Sequence, residues 1–135
     1  MRIAFGTDER TPLTDAVRDR LVEAGHELVA VVEGDPWPEV GRRVGEAVAA
    51  GAADRGVVCC WTGTGVSIAA NKVPGVRAAL CTDAATAEGA RRWNDANVLA
   101  LGLRLTSIEV AGELLDAFLA TDADPSEQPN VARLS

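Results

Sequence analysis

A cysteine followed by a glycine-rich turn is the clearest chemical pattern in the sequence. Residues 57–61 form an apolar run that predicts a strand, and Cys60 lies near its end. Residues 62–65 read Thr-Gly-Thr-Gly and predict a turn, which a short helix over residues 67–70 follows. Such a turn leaves backbone N–H groups open to an anion, and the helix N-terminus adds a partial positive charge. A thiol beside these donors predicts an active site; the less specific alternative is a tight connection that follows two buried cysteines.

Length and composition indicate a single globular domain over residues 1–135. Of these residues 47% are hydrophobic and 24% are charged, which is enough for one hydrophobic core. The formal net charge of −7 argues against nucleic acid as a partner. No apolar run approaches the roughly 20 residues needed to cross a bilayer, so no membrane partner is expected. The three cysteines suit no disulfide framework, which predicts reduced thiols and a cytoplasmic protein, and the single histidine leaves little for a metal site.

Strands and helices alternate along the chain. Apolar runs predict strands over residues 3–6, 26–33, 57–61, 77–82 and 98–102. Helical spacing predicts helices after Pro12, over residues 39–50 and 67–70, from the N-cap Asp83 to Trp93, and after the N-cap Thr106. The loop 34–38 and the polar tail 121–135 complete the chain, and the tail is expected to wrap over a surface or fray. Because the strands are apolar on both faces, we expect a three-layer α/β/α sandwich around a doubly wound, five-stranded parallel sheet.

The expected connections bring two loops of this sheet together. Right-handed crossovers predict that the first and third strands lie side by side in the middle of the sheet. The loops that follow them then face each other where the strand order reverses, so Asp8 and Cys60 should share one crevice. Adjacent strand residues point to opposite faces, which separates Cys59 from Cys60. A nucleotide-binding fold is the rival interpretation, but residues 63–65 lack the full dinucleotide fingerprint and a Walker lysine.

Three stretches resemble one family of sugar isomerases. Residues 60–81, 94–104 and 2–8 are similar to segments of the ribose-5-phosphate isomerase B family, which includes the galactose-6-phosphate isomerase subunits. The resemblance spans almost the whole chain, and the tail is the exception. It implies an aldose–ketose isomerase that uses neither metal nor cofactor and moves a proton between adjacent carbons of an opened sugar through an enediolate. It also implies a homodimer or tetramer whose sites form between subunits.

The resemblance assigns roles to individual residues. Cys60 matches the base of the family's cysteine branch, and Ser67 stands where another branch has a glutamate. Asn94 would bind the sugar, and Arg104 matches an arginine that contacts the ligand. The expected catalytic set is Cys60 together with Gly63, Thr64 and Gly65, whose backbone N–H groups would hold the enediolate oxygens. The expected substrate-binding set is Asp8, Glu9, Trp37, Trp61, Thr62, Ser67, Trp93, Asn94 and Arg104.

The departures from the family pattern concern substrate binding. Glu9 and Trp93 stand where the family has histidines, the second of which helps to open the sugar ring. Trp61 replaces a glycine, residues 36–40 replace Asp-Tyr-Pro-Asp-Tyr, and the tail lacks the phosphate-binding arginines in register. All three tryptophans, which include Trp37, are therefore expected around one pocket. They form either an aromatic wall for a sugar face or an apolar group, or the filling of a dead cavity.

Two functions remain open at this point. The first is an isomerase that acts on an altered sugar or sugar-like compound, which is unphosphorylated or has its phosphate held in another way. The second is a non-catalytic or regulatory relative that keeps the fold and the dimer. The first is favoured because the thiol, the glycine turn, Asp8, Asn94 and Arg104 are all retained. In either case ribose 5-phosphate is expected to be a poor substrate.

Overall fold

A five-stranded parallel sheet forms the centre of the molecule. The computed structural model describes residues 1–134. Its strands are Arg2–Thr7 (β1), Glu27–Glu33 (β2), Arg55–Cys60 (β3), Ala78–Leu80 (β4) and Val98–Gly102 (β5). They lie in the order β2-β1-β3-β5-β4, and each neighbouring pair is parallel. The predicted doubly wound sheet, with β1 beside β3, is confirmed.

Helices cover both faces of the sheet. They are Pro12–Glu23 (α1), Trp37–Ala49 (α2), Thr64–Asn71 (α3), Ala84–Asn94 (α4), Ile108–Ala120 (α5) and Gln128–Val131 (α6, in the tail). Helices α1, α4 and α5 bury one face around Phe5 and Leu99, and α2 and α3 bury the other around Val58 and Ala100. Burial on both sides explains why the strands are apolar throughout. None of the helices in residues 1–134 is long and apolar enough to cross a membrane.

Short polar side chains cap three of the helices, α1, α4 and α5. Asp83 caps α4 and accepts the N–H of Thr86 at 2.7 Å, as predicted. The cap of α5 is Ser107, which accepts the N–H of Val110 at 3.1 Å, so the prediction of Thr106 was wrong by one residue. Thr106 and Ser107 both carry a hydroxyl that suits a cap, and only the path of the backbone decides which of the two accepts the N–H.

Two helices begin earlier than predicted. Helix α2 starts at Trp37, inside the expected loop 34–38, because Pro38 fits the first turn of a helix and needs no N–H partner there. Helix α3 starts at Thr64, so Thr64 and Gly65 belong to its first turn rather than to the preceding loop. Glycine disfavours helix interiors in general, which is why the pattern suggested a later start.

The start of the tail is bonded to helix α4. Short 3-10 turns at Pro125–Glu127 and Ala132–Leu134 flank α6. The N–H of Asp124 donates to the carbonyl of Arg92 at 2.8 Å and ties the start of the tail to α4. The start of the tail is therefore held at α4, and the wrapping or fraying of the residues beyond Asp124 stays a prediction. Ser135 lies outside the described residues.

Candidate active site

A crevice opens at the carboxyl ends of β1 and β3. It has a volume of about 300 Å³ and is lined by Asp8, Trp37, Cys60, Trp61, Thr62, Thr64 and Gly65. The two strands are neighbours, so the residues that follow them meet at the point where the strand order reverses. Asp8 and Cys60 share this crevice, as the expected strand order predicted.

Strand β3 presents two adjacent thiols to opposite sides of the sheet. Cys59 is fully buried in the core under α1, α4 and α5, whereas Cys60 lies on the other side and reaches the crevice with 5% of its surface exposed. Burial raises the pKa of Cys59 far above its ordinary value. Burial and the charge of Asp83 raise the pKa of Cys81 to about 11. Cys60 is therefore the cysteine whose thiol could react with a ligand in the crevice.

The turn after Cys60 is held against the end of β5. Gly63 has a left-handed φ of +78°, and a Cβ at this position would lie 2.8 Å from the carbonyl carbon of Leu101. The N–H of Arg104 donates to the carbonyl of Trp61 at 2.9 Å. The turn therefore needs glycine at position 63 for its conformation and for space.

The first turn of helix α3 faces the crevice. Thr64 and Gly65 are its first two residues, and both line the crevice. The first backbone hydrogen bond runs from the N–H of Ser67 to the carbonyl of Gly63 at 3.2 Å, so the N–H groups ahead of it have no acceptor within the helix. The hydroxyl groups of Thr62 and Thr64 are 2.7 Å apart and bond to each other. These donors and the helix dipole suit a developing oxyanion.

Asp8 contributes an unsatisfied carboxylate oxygen. Its Oδ1 is buried and has no hydrogen-bond partner among residues 1–134. Burial, followed by the charge of Glu9, raises the pKa of Asp8 above its ordinary value. A buried acceptor of this kind is satisfied when a ligand hydroxyl donates to it. Glu9 itself is exposed, accepts a hydrogen bond from the Thr7 hydroxyl through its own carbonyl at 2.6 Å, and does not line the crevice.

Two tryptophans form walls of the crevice. Trp37 is 45% exposed and Trp61 is 57% exposed. The indole of Trp37 lies directly on Gly65, where an added Cβ would come within 2.9 Å of the ring carbon Cδ2. Within residues 1–134 no Arg, Lys or His side chain lines the crevice, so Asp8 is its one ionisable side chain besides Cys60. Aromatic walls of this kind suit a carbon face of a sugar or another apolar group.

Trp93 and Asn94 lie in a different concavity, so the expected meeting of all three tryptophans does not occur within one chain. This second concavity has a volume of about 600 Å³ and lies between the edge strand β4 and helix α4. It is also lined by Leu80, Cys81 and Asp83, which were not among the predicted site residues. The available signal was the position of Cys81 directly after a parallel strand.

Ser67 and Arg104 lie close to the crevice without lining it. Ser67 is half-buried in α3, and Arg104 is exposed in the loop after β5. Within residues 1–134 no group of three His, Cys, Asp or Glu side chains is arranged to hold a metal ion.

The crevice brings together seven of the predicted site residues, with Gly63 directly behind them. It leaves Glu9, Ser67, Trp93, Asn94 and Arg104 outside.

Fold and crevice together define an α/β protein with a thiol and a helix N-terminus beside one crevice at the reversal of the strand order. A protein family described as Ribose/Galactose Isomerase matches residues 3–134. The chain is 40% identical over 123 residues to ribose-5-phosphate isomerase B of Escherichia coli, which covers 87% of this chain and 83% of that protein. It is 36% identical over 125 residues to D-erythrulose-4-phosphate isomerase of Pectobacterium atrosepticum, which covers 88% of this chain and 82% of that protein.

A solved structure agrees with these relatives. Ribose-5-phosphate isomerase B of Clostridium thermocellum superposes with a TM-score of 0.90 at 37% identity, covering 99% of this chain and 95% of that one. The chain therefore belongs to the ribose/galactose isomerase family, and the relatives named here are sugar-phosphate isomerases.

Proposed function

We propose that this chain is an aldose–ketose isomerase that acts on a small sugar or sugar-like hydroxycarbonyl compound. The observation that carries the proposal is the grouping of the Cys60 thiol, the Asp8 carboxylate and the first turn of α3 around one crevice. Membership of the ribose/galactose isomerase family supports the reaction class.

In the proposed mechanism Cys60 is the base. As a thiolate it removes the proton from the carbon next to the carbonyl, and the electron pair forms the carbon–carbon double bond of an enediolate. The carbonyl oxygen becomes negative and is stabilised by the N–H groups at the start of α3. A proton then moves between the two oxygens, and the thiol returns its proton to the former carbonyl carbon. Aldose and ketose thus interconvert with no net gain or loss of atoms.

The lining of the crevice supports a substrate without a phosphate at this position. Asp8 would accept a substrate hydroxyl, and Trp37 and Trp61 would contact its carbon skeleton. A charge-assisted contact to phosphate contributes about 1.5–3 kcal/mol. If two such contacts are lacking, binding of ribose 5-phosphate weakens by about 100-fold or more. Arg104 opposes this preference, because its backbone N–H donates to the carbonyl of Trp61 and its guanidinium would attract a phosphate.

We further propose a homodimer or larger assembly in which Trp93 and Asn94 of one chain approach the crevice of another. Two observations support this arrangement. Both residues lie outside the crevice of their own chain, and Trp93 is 57% exposed beside a concavity of about 600 Å³. Two-fold pairing is the commonest mode of self-association.

A cytoplasmic location is proposed because the three cysteines are free.

A non-catalytic relative is the second candidate function. Trp61 favours it, because an exposed indole stands on the wall of the crevice and narrows the space available to a ligand. Such a protein would keep the sheet and the glycine turn for packing alone.

Turnover on a panel of sugars tests these alternatives. Phosphorylated and unphosphorylated tetroses, pentoses and hexoses are offered to the wild type, to Cys60→Ser and to the control Cys59→Ala. We expect turnover of an unphosphorylated compound, a kcat lower by roughly 10²- to 10⁴-fold in Cys60→Ser, and a kcat close to wild type in Cys59→Ala. Circular dichroism checks that each variant is folded.

Each other outcome counts against a different part of the proposal. Equal kcat values for Cys60→Ser and the wild type overturn the assignment of the base. Efficient turnover of ribose 5-phosphate with an ordinary KM overturns the substrate preference. No turnover of any sugar by the wild type favours the non-catalytic relative.

A further inference from the structure

The end of helix α4 is fixed by a carboxylate that lies between two arginines. Asp95 directly follows Asn94, and its Oδ2 accepts a hydrogen bond from Arg77 Nη2 at 3.2 Å. Its Oδ1 accepts from Arg91 Nη1 at 2.8 Å, and its backbone carbonyl accepts from Arg77 Nε at 2.7 Å. Arg77, Arg91 and Asp95 are named the arginine–aspartate clamp below.

The backbone of Asp95 adopts a conformation that favours glycine. Its φ of 47° and ψ of 43° are left-handed, and it is the only non-glycine residue with a positive φ among residues 1–134. Its N–H donates to the carbonyl of Arg91 at 3.1 Å, and that of Ala96 to the carbonyl of Ala90 at 3.0 Å, which closes the helix. Glycine would form the same turn without steric penalty. The left-handed turn therefore does not require a carboxylate at position 95, and what Asp95 adds is its ionic contacts with the two arginines.

Arg91 is a buried cation that Asp95 neutralises. Its side chain is 2% exposed, and within residues 1–134 its ion pair is with Asp95. Arg91 Nε donates to the carbonyl of Thr121 at 3.1 Å, and Nη1 also donates to the carbonyl of Ala96 at 2.6 Å. A buried charge that loses its partner is strongly unfavourable, so the clamp holds the end of α4 firmly against the end of α5.

Arg77 extends the clamp to the sheet. It precedes β4, its N–H donates to Asn97 Oδ1 at 2.8 Å, and its carbonyl accepts the N–H of Asn97 at 2.9 Å. The residues just before the clamp, Trp93 and Asn94, are exposed. Their position is therefore set mainly by the backbone at the end of α4, which the clamp determines.

We propose that the arginine–aspartate clamp positions Trp93 and Asn94 for substrate binding. Arg77, Arg91 and Asp95 act as positioning residues through Asn94 and touch no substrate themselves. This inference rests on the proposed function and assembly, in which Asn94 approaches the crevice of another chain, and on the expectation that Asn94 binds the sugar there.

The variant Asp95→Gly separates the carboxylate from the turn, because glycine keeps the left-handed backbone and removes both ionic contacts. We expect KM to rise roughly three- to tenfold, which corresponds to the loss of one substrate hydrogen bond, with a smaller change in kcat. A purely structural role would lower the melting temperature and the active fraction but leave KM unchanged. Arg77→Gln is the second variant, because it breaks only the partly exposed arm of the clamp. Asp116→Asn removes an exposed ion pair with Arg20 and is the matched control.

A readout without substrate tests the clamp independently of turnover. The indole N–H resonance of Trp93 is assigned by comparison with Trp93→Phe. We expect it to shift in Asp95→Gly and in Arg77→Gln and to stay in place in the control Asp116→Asn. An unchanged Trp93 resonance in folded variants overturns the clamp, and a shifted resonance with unchanged KM overturns its positioning role. A shifted resonance in a protein that turns over no sugar upholds the clamp and counts against the proposed function.

Discussion

The three cysteines of the chain differ in what surrounds each sulfur rather than in residue type. Cys59 and Cys81 have raised pKa values because they are buried, that of Cys81 to about 11, whereas Cys60 reaches the crevice. We therefore expect iodoacetamide at pH 8 to alkylate Cys60 alone in the folded protein and all three cysteines in guanidinium chloride. Tandem mass spectrometry of the peptide that carries Cys59 and Cys60 locates the adduct. Alkylation of Cys59 ahead of Cys60 would contradict the assignment.

The raised thiol pKa values also predict how stability depends on pH. The unfolded thiols lose their protons near the ordinary value of 9.0, before the folded ones do. The unfolded state therefore binds fewer protons above this pH, and the free energy of unfolding falls as the pH rises past about 9. Denaturation of the wild type and of Cys81→Ala between pH 7 and pH 10.5 measures this, and the slope should be smaller in the variant. Equal slopes would show that Cys81 does not contribute.

Asp8 illustrates a conflict between stability and function at one residue. Its pKa is raised, so the folded protein binds this proton more tightly than the unfolded chain does. The ionised carboxylate therefore destabilises the fold at neutral pH, and this penalty disappears as the pH falls through the folded pKa towards the ordinary value. We expect Asp8→Asn to melt at a higher temperature than the wild type at pH 7, to melt at nearly the same temperature near pH 4, and to lose activity. Thermal denaturation at both pH values checks the sign, and a lower melting temperature at pH 7 would contradict it.

At the scale of the elements, the turn between β3 and α3 is restricted by both conformation and space. A Cβ on Gly63 would lie 2.5 Å from Leu80 Cδ1, and φ is +78°. Gly25 has a similar φ of +88° but no atom within 4 Å of such a Cβ, which makes it a matched control. We expect Gly25→Ala to cost about 1–2 kcal/mol in free energy of unfolding and Gly63→Ala roughly 3 kcal/mol or more. Urea denaturation measures both values, and equal costs would show that the crowding is relieved easily.

The elements themselves were largely predictable from the sequence. Strand β5 was predicted with its observed bounds because each of its residues is buried. Helix α3 was predicted too short because Gly65 resembles a turn residue, whereas it lies in the first turn of the helix with the indole of Trp37 packed on it. The arginine–aspartate clamp was not predictable, because Arg77 and Asp95 are far apart in the sequence and come together only when β4 pairs with β5. The crevice was predictable in part, since strand order fixes which loops meet but not which side chains line them.

At the scale of the whole molecule, the proposed assembly allows a complementation experiment. If each site combines Cys60 of one chain with Asn94 of another, a mixed dimer of Cys60→Ser and Asn94→Ala has one intact site and one doubly altered site. Refolding the two inactive variants together should restore about one quarter of the wild-type activity by random pairing. Light scattering at micromolar concentration should give the mass of a dimer or tetramer. A fully active monomer, or a mixture that stays inactive although dimeric, would exclude the shared site.

The adjacent cysteines of β3 bear on how the chain tolerates changes in length. A shift of one residue along a strand exchanges the two faces of the sheet. Insertion of one residue between Val58 and Cys59 would carry Cys59 into the place of Cys60, so the crevice would keep a thiol. Deletion at the same point would instead bring Trp61 into that place and leave the crevice without one. Variants of this chain with one residue inserted here should therefore retain activity more often than variants with one residue deleted. A library of single-residue insertions and deletions across β3 would measure this difference.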